Sequence, residues 1–133
     1  MKPLRIVAIV PVAYVAIVVA FESAIGYFQP ADESTLVITT FDGDGVAHDR
    51  VLSPLESSGQ LYVATNHWIR AWYNRALGTP EVHVTLDSKT GDYRAVPVDG
   101  VEHDRVAREN ELGLGLRILT GFPPRYFVRL DPR

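Results

Sequence analysis

Residues 61–86 leave this chain few possible folds, because a strand, a helix and a second strand follow one another there almost without spacer residues. Residues 61–65 are β-branched and aromatic enough for a buried strand. Residues 82–86 alternate apolar and polar side chains, which indicates a half-buried strand. We expect the functional centre of the protein in this stretch.

The helix between these strands carries its aromatic residues on one face. Trp68, Trp72 and Ala76 recur at a spacing of four, while Asn66 is suited to cap the first turn and Gly78 to end the last one. An aromatic stripe of this kind usually packs on a core, and the alternative is that its rings stack on a ligand.

The corner where the first strand meets the helix concentrates polar and aromatic groups. Its residues are Ala64, Thr65, Asn66, His67 and Trp68. Together they offer two polar side chains, an imidazole, an indole and several helix N-terminal amides, which can bind an anion or a flat ring. Tyr62 and Trp68 would supply apolar walls. The competing interpretation is that Asn66 only caps the helix and His67 is exposed.

Residues 6–21 contain no charged residue, with Lys2 and Arg5 before them and Glu22 after them. As a helix they would reach ~24 Å, against ~30 Å for the hydrocarbon core of a bilayer, and flanking lysine and arginine side chains can extend the span. We predict a single membrane anchor, with the barrel on the exported side by the positive-inside rule. The rivals are a cleaved signal peptide, suggested by the small residues near Ala20, and a buried core helix.

The remaining segments predict one domain after this helix. We expect an anchor over residues 1–28, a linker over 29–35 and a single domain over 36–133. Strand patterns and turns place most of that domain in an antiparallel sheet. The predicted elements are strands over 35–41, 46–55, 61–65, 82–86, 92–98 and 126–130, with the first three in a meander, a turn over 42–45, and a surface helix over 101–112 that packs through Val101, Val106 and Leu112.

Composition and spacing exclude several classes of function. The net charge of −3 gives no basic surface for nucleic acid, and the absence of cysteine rules out disulfides and thiolate chemistry. The four histidines do not lie at metal-ligand spacings, so no metal site is expected. Asp42 and Asp44 belong to a turn rather than a calcium loop, because no closing glutamate follows.

Four short motifs, taken in order, resemble those of one superfamily. They are Arg50-Val-Leu-Ser-Pro-Leu55, Gly59-Gln-Leu-Tyr-Val63, Trp72-Tyr-Asn74 and Thr79-Pro-Glu-Val-His-Val84. The chain is similar to the split β-barrel flavin and deazaflavin oxidoreductases, the pyridoxamine-phosphate-oxidase-like proteins. It is closest to the deazaflavin (F420)-dependent nitroreductase and quinone reductase family. The chain departs from that family where a "T-T-x-G-R-x-S-G" run is common, having Thr39-Thr-Phe-Asp-Gly-Asp-Gly45 instead.

The resemblance implies a mainly β fold with helices, a split antiparallel β-barrel of about six strands after one transmembrane helix. It also implies an oxidoreductase that binds F420, or alternatively FMN, and passes a hydride to a quinone or nitro-type small molecule. A homodimer is a candidate assembly, since a second subunit often completes such a site near Arg125, Tyr126 and Arg129. The implied cofactor-binding residues are Arg50 at the phosphate, then Ala64, Thr65, Asn66, His67, Trp68, Trp72 and Asn74. No catalytic residue is assigned.

Two interpretations of other classes stay open. One is a split-barrel protein that holds a flavin-like ligand or a lipid without turnover. The other is a membrane-tethered module whose pocket has decayed.

Overall fold

The structure, a computed structural model, describes residues 2–27, 35–66, 71–121 and 124–133. The chain divides into two compact units, one of residues 1–29 with 112–123 and one of residues 30–111 with 124–133. The helices are α1 (Lys2–Tyr27), α2 (Ala71–Gly78), α3 (Gly100–Glu109) and α4 (Leu114–Thr120). The strands are β1 (Leu36–Phe41), β2 (Ala47–Leu52), β3 (Leu55–Ser57), β4 (Gln60–Asn66), β5 (Glu81–Leu86), β6 (Lys89–Val98) and β7 (Arg125–Pro132).

The second unit is a seven-stranded antiparallel sheet in the order β2-β1-β5-β6-β7-β4-β3. Apolar residues from strands far apart in that order share one core, with Ile38 of β1, Val63 of β4 and Trp72 of α2 among its members. Since β1 and β4 are separated by three strands, the sheet must curl to bring them together. The architecture is a curled half-barrel, which confirms the predicted fold class.

The two helices of this unit pack on opposite faces of the sheet. Successive residues of a strand point to opposite faces, so Tyr62 and Val63 of β4 belong to different cores. Val63 joins Trp72 and the large core, which defines the α2 face. Tyr62 joins Phe127 of β7 and Val106 of α3, which defines the α3 face.

The predicted meander of the first three strands is wrong. β1 pairs with β2 as expected, but β4 pairs with β3 and with β7 rather than with β2. The single strand expected over residues 46–55 ends at Leu52, because Pro54 has no N–H to continue the ladder, and β3 begins at Leu55. This short strand forms the opposite edge of the sheet.

The turn between β5 and β6 is tighter than the sequence predicts. β5 and β6 are joined by only Asp87 and Ser88, both with positive φ, and Leu86 pairs directly with Lys89. Asp42 shapes the other hairpin, because one carboxylate oxygen accepts the N–H groups of Asp44 (2.9 Å) and Val46 (3.0 Å). Its second oxygen contacts His48 Nε2 at 3.0 Å, so the carboxylate is used within the turn, as the turn interpretation requires.

The predicted surface helix is present as α3, but its contacts differ from those expected. Val106 is fully buried, whereas Val101 is 84% exposed. Val101 lies at the first turn of the helix, away from the face on which Val106 packs. The sequence predicts no helix over α4, which follows Gly113 and ends at Gly121 in the left-handed conformation.

The first unit consists of α1 with α4. Residues 6–24 of α1 are apolar and long enough to cross a membrane, with a mean hydropathy of 2.3 and 11% of the span buried. Tyr14 of α1 donates a hydrogen bond to the carbonyl of Ile118 in α4 at 2.8 Å.

Candidate functional site

The α2 face contains an aromatic cluster at the point where β4 approaches α2. Thr65 of β4 lies opposite Tyr126 of β7 in the register of the sheet. The Tyr126 ring lies 6.1 Å from the ring of Tyr73 on α2, and Tyr73 meets Trp72 edge-to-face at 5.9 Å. Tyr126 is 40% exposed, so one side of the cluster is open to solvent or a ligand.

Two polar atoms near this cluster have no hydrogen-bond partner among the described residues. They are the hydroxyl oxygen of Thr65 and the indole nitrogen of Trp72. Their residues are 7% and 1% exposed, so water does not readily serve these atoms. A buried polar group without a partner costs about 1–3 kcal/mol, and such groups in a native protein call for a ligand, a water or another partner.

Arg50 lies on the same face of the sheet. It stands opposite Ile38 of β1 and two residues before Leu52, both of which face the large core. Its side chain is half-buried, and it has contacts within the protein. α2 is held over this side of the sheet by Arg75, whose Nε donates to the Thr40 hydroxyl at 2.8 Å. A cation on the inner face of an edge strand suits an anionic group that approaches beside α2.

The structure separates the remaining predicted site residues. Ala64 points to the α3 face, where it packs near Tyr62 and Phe127. Asn74 is exposed, and since two helical residues span about 200°, it faces away from buried Trp72. His67, Trp68 and the side chain of Asn66 lie outside the described residues. The described part of the predicted site on the α2 face is therefore Arg50, Thr65 and Trp72.

The α3 face carries a polar network that the sequence did not predict. Tyr62, fully buried, donates from its hydroxyl to Glu102 of α3 at 2.7 Å and accepts from Arg105 at 3.1 Å. Arg129 of β7 binds both carboxylate oxygens of Glu102, at 3.0 and 2.9 Å. This network attaches α3 to the sheet, and Tyr62 is not a wall of the predicted pocket.

Hydrogen bonding and burial shift the pKa values of Glu102 and Tyr62 in this network. The Tyr62 hydroxyl, with help from Arg129, lowers the pKa of Glu102 below its usual 4.5. Burial, together with the hydrogen bond to Glu102, raises the pKa of Tyr62 above its usual 10.0. Both shifts favour the observed arrangement of a neutral phenol that donates to a charged carboxylate.

Arg125 also contributes to the α3 face. Its guanidinium lies 4.8 Å from the centre of the Phe127 ring and donates to the carbonyl of Asn110 at 2.6 Å. Burial lowers its pKa. Arg125 and Arg129 thus have partners in their own subunit, whereas Tyr126 between them points to the α2 face.

No protein-family model matches the chain, and no curated protein matches it. Solved structures do match. The chain is 16% identical to HutZ, the heme storage protein of Vibrio cholerae, with a TM-score of 0.54 over 77% of this chain and 83% of that one. It is 19% identical to a pyridoxamine 5'-phosphate oxidase-related, FMN-binding protein of Nostoc punctiforme, with a TM-score of 0.53 over 75% and 71% of the two chains.

A third similar structure is the F420-H2-dependent reductase FDR-A, which is 18% identical with a TM-score of 0.52. The alignment covers 76% of this chain and 98% of that one. Identities this low show the fold alone. The protein has the split β-barrel fold of the pyridoxamine-phosphate-oxidase-like proteins, as its motifs predict.

Proposed function

We propose that this protein is a membrane-anchored reductase that binds F420, or alternatively FMN, and passes a hydride to a quinone or nitro-type acceptor. The observation that carries the proposal is on the α2 face, where the Thr65 hydroxyl and the Trp72 indole N–H are buried without a described partner beside the half-open aromatic cluster. The similar solved structures include an FMN-binding protein and an F420-H2-dependent reductase, which supports a flavin-type cofactor.

The proposed site has a ring end and a phosphate end. Tyr73 and Tyr126 offer aromatic surface for a flat ring, and the Thr65 hydroxyl and Trp72 N–H can bond its polar edge. Arg50 would hold a phosphate by charge-assisted hydrogen bonds. When bound, the cofactor supplies the hydride chemistry, while these residues bind and orient it.

The other predicted residues have unequal support. His67, Trp68 and Asn66 stay in the proposed site, because their segment joins Thr65 to α2 in the chain. Ala64 and Asn74 have the weakest support, since one packs on the α3 face and the other is exposed.

The membrane part of the proposal rests on α1. Its apolar span is barely buried within the protein, which favours a lipid environment over a core helix. Tyr14 and Val18 contact α4 and precede the candidate signal-peptide cleavage point at Ala20, so cleavage would remove part of a packed unit. An anchor of this kind favours a lipid-soluble acceptor such as a quinone.

The second candidate is ligand binding without turnover. A protein described as a heme storage protein has a similar fold, so the fold is compatible with a holding role. The proposed site also offers no described side chain with an evident acid-base function.

The two candidates are separated by titration and turnover. The purified full-length protein in detergent is titrated with F420, FMN and heme, and the reduced form of any flavin-type cofactor that binds is mixed with quinone and nitroaromatic acceptors. We expect F420 or FMN to bind and its reduced form to be oxidised faster with the protein than without it. Binding without such acceleration would favour the holding role, and binding of none of the three would contradict both. Light scattering of the same samples tests the predicted homodimer.

A further inference from the structure

α1 carries a hydroxyl in the middle of its apolar span. Tyr14 lies near the centre of residues 6–24, the part of α1 long and apolar enough to cross a membrane. In hydrocarbon a hydroxyl without a partner is costly, because no water can replace the missing hydrogen bond. Here the hydroxyl donates to the carbonyl of Ile118 at 2.8 Å. The Ile118 carbonyl of α4 therefore gives the Tyr14 hydroxyl a hydrogen-bond partner that it would otherwise lack in lipid.

The C-terminal end of α4 packs closely on α1. A methyl group added at Gly121 would lie 3.5 Å from a Val18 methyl group, at ordinary van der Waals distance, so the Val18 side chain lies beside the end of α4. Gly121 caps α4 in the left-handed conformation, and its N–H donates back to the carbonyls of Arg117 and Ile118. The contacts at Tyr14 and Val18 lie one helical turn apart on the same side of α1.

The surface of α4 is strongly apolar although the helix has only two turns. Four large apolar side chains are exposed: Leu114 (64%), Leu116 (40%), Ile118 (42%) and Leu119 (38%). α1 presents a similar surface within the same unit, with Val12 69% and Val15 58% exposed. Such a concentration of apolar surface on two packed helices indicates a site of association.

We propose that α4 enters the bilayer together with α1, so that the membrane element of this protein is a helix pair rather than a single anchor. The proposal rests on the membrane anchoring proposed above. From Glu22, the charged residue that flanks the apolar segment, Val18 and Tyr14 lie ~6 Å and ~12 Å along the helix axis, which places the contacts with α4 within one leaflet of a ~30 Å hydrocarbon core.

The occupant of this apolar surface is the acyl region of lipid. Residues 6–21 carry no charge and are flanked by Lys2, Arg5 and Glu22, the pattern of a segment that sits in hydrocarbon. α4 contains one charged residue, Arg117, which has a partner within the protein.

The absence of cysteine makes the proposal directly testable with single labels. A fluorophore is attached to Leu116→Cys on α4, to Val12→Cys on α1, or to Val101→Cys, an 84% exposed residue of α3 that serves as the control. The full-length proteins are placed in phosphatidylcholine vesicles with brominated acyl chains, and in plain vesicles with aqueous iodide. We expect brominated lipid to quench the Leu116 label as strongly as the Val12 label, and iodide to quench only the Val101 label.

Other outcomes have distinct meanings. If the Val12 label responds to lipid but the Leu116 label responds to iodide, the anchor inserts without α4 and the helix pair is wrong. If neither quencher reaches the Leu116 label, a second protein surface covers α4, which also overturns the proposal. If iodide quenches the Val12 label as well, membrane anchoring itself fails, while cofactor binding is untouched.

A second variant tests the role of the hydroxyl. Tyr14→Phe keeps the ring but removes the hydrogen bond to Ile118, so we expect iodide to gain access to the Leu116 label while the Val12 label stays in lipid. Unchanged quenching of the Leu116 label would show that the hydroxyl does not hold α4 in place.

Discussion

The two faces of the sheet differ in whether their buried hydroxyl groups have hydrogen-bond partners among the described residues. On the α3 face the buried hydroxyl of Tyr62 has three hydrogen-bond partners, namely Gln60, Glu102 and Arg105. On the α2 face the buried hydroxyl of Thr65, three residues further along the same strand, has none among the described residues. A satisfied network attaches a helix, whereas an unsatisfied group marks a place where something else can bind. This contrast supports the proposed cofactor site on the α2 face and a stabilising role for the network on the α3 face.

The largest expected effect is a loss of cofactor affinity when a residue of the α2 face is changed, with no such loss for a change on the other face. Arg50→Ala should weaken a phosphorylated cofactor by about 1.5–3 kcal/mol, the range for hydrogen bonds to charged groups. The variant is compared by calorimetric titration with Arg94→Ala, which removes a 55% exposed arginine paired with Glu81 on the other face of the sheet. We expect Arg94→Ala to bind like the wild type.

Equal affinity of the Arg50→Ala protein and the wild type would remove Arg50 from the site. Thermal unfolding of the empty proteins provides the control. A binding loss accompanied by a large fall in melting temperature would reflect damage to the sheet rather than a lost phosphate contact.

The second effect should appear in stability and not in binding. Tyr62→Phe removes the hydroxyl that links Glu102 and Arg105 and leaves these two half-buried side chains of α3 with fewer partners. The loss of such a hydrogen bond costs about 0.5–1.5 kcal/mol in the free energy of unfolding. Denaturant unfolding measures the change, and cofactor titration should give the wild-type affinity. A binding loss without destabilisation would mean that the α3 face also forms part of the site.

The sequence predicted the strands better than their partners. Alternating apolar and polar residues predict the strands Leu36–Phe41 and Glu81–Leu86. The helix-breaking residue Gly78 predicts the end of α2. The pairing of β4 with β7 could not be predicted in this way, because it joins residues 59 to 69 positions apart and depends on the global topology. The meander was the locally simplest arrangement, and the structure replaces it with a crossover.

The candidate site was predicted only in part, because which residues share a face also depends on the way the strands are arranged in the sheet. The corner of residues 64–68 was treated as one surface, yet strand alternation sends Ala64 and Thr65 to opposite faces. The network around Glu102 was missed because its charges look like those of an ordinary solvated helix. Its partner Arg129 lies on β7, which the sequence could not place beside β4.

The third expected effect is a change of stability with pH, caused by Glu102 and Tyr62 on the α3 face. The pKa of Glu102 is lowered in the folded protein, so its contribution is present above its usual pKa of 4.5 and is lost as the pH falls below that value. The pKa of Tyr62 is raised, so its contribution is present below its usual 10.0 and is lost as the pH rises above that value. Melting temperatures measured from pH 3 to pH 11 should therefore fall at both ends.

Tyr62→Phe is the matched control for these two transitions. It removes the titrating phenol and the first cause of the Glu102 shift, so the alkaline fall should shrink and the acid fall should become smaller. If the alkaline fall is the same in wild type and variant, other groups produce it, and the α3 network does not determine the pH range of the fold.

The smallest effect on stability should come from the corresponding change on the α2 face. Thr65→Val replaces the hydroxyl by a methyl group of similar size, and because the hydroxyl has no described partner, its loss should leave the free energy of unfolding of the empty protein unchanged or slightly raised. If a cofactor supplies the missing partner, the same change should weaken binding by about 0.5–1.5 kcal/mol, the net value of one neutral hydrogen bond.

Tyr62→Phe and Thr65→Val together form a reciprocal test on one strand, in which one hydroxyl affects folding and the other affects binding. A clear destabilisation of the empty Thr65→Val protein would show that Thr65 has a protein partner, and the α2 face would then lose its main claim to the site.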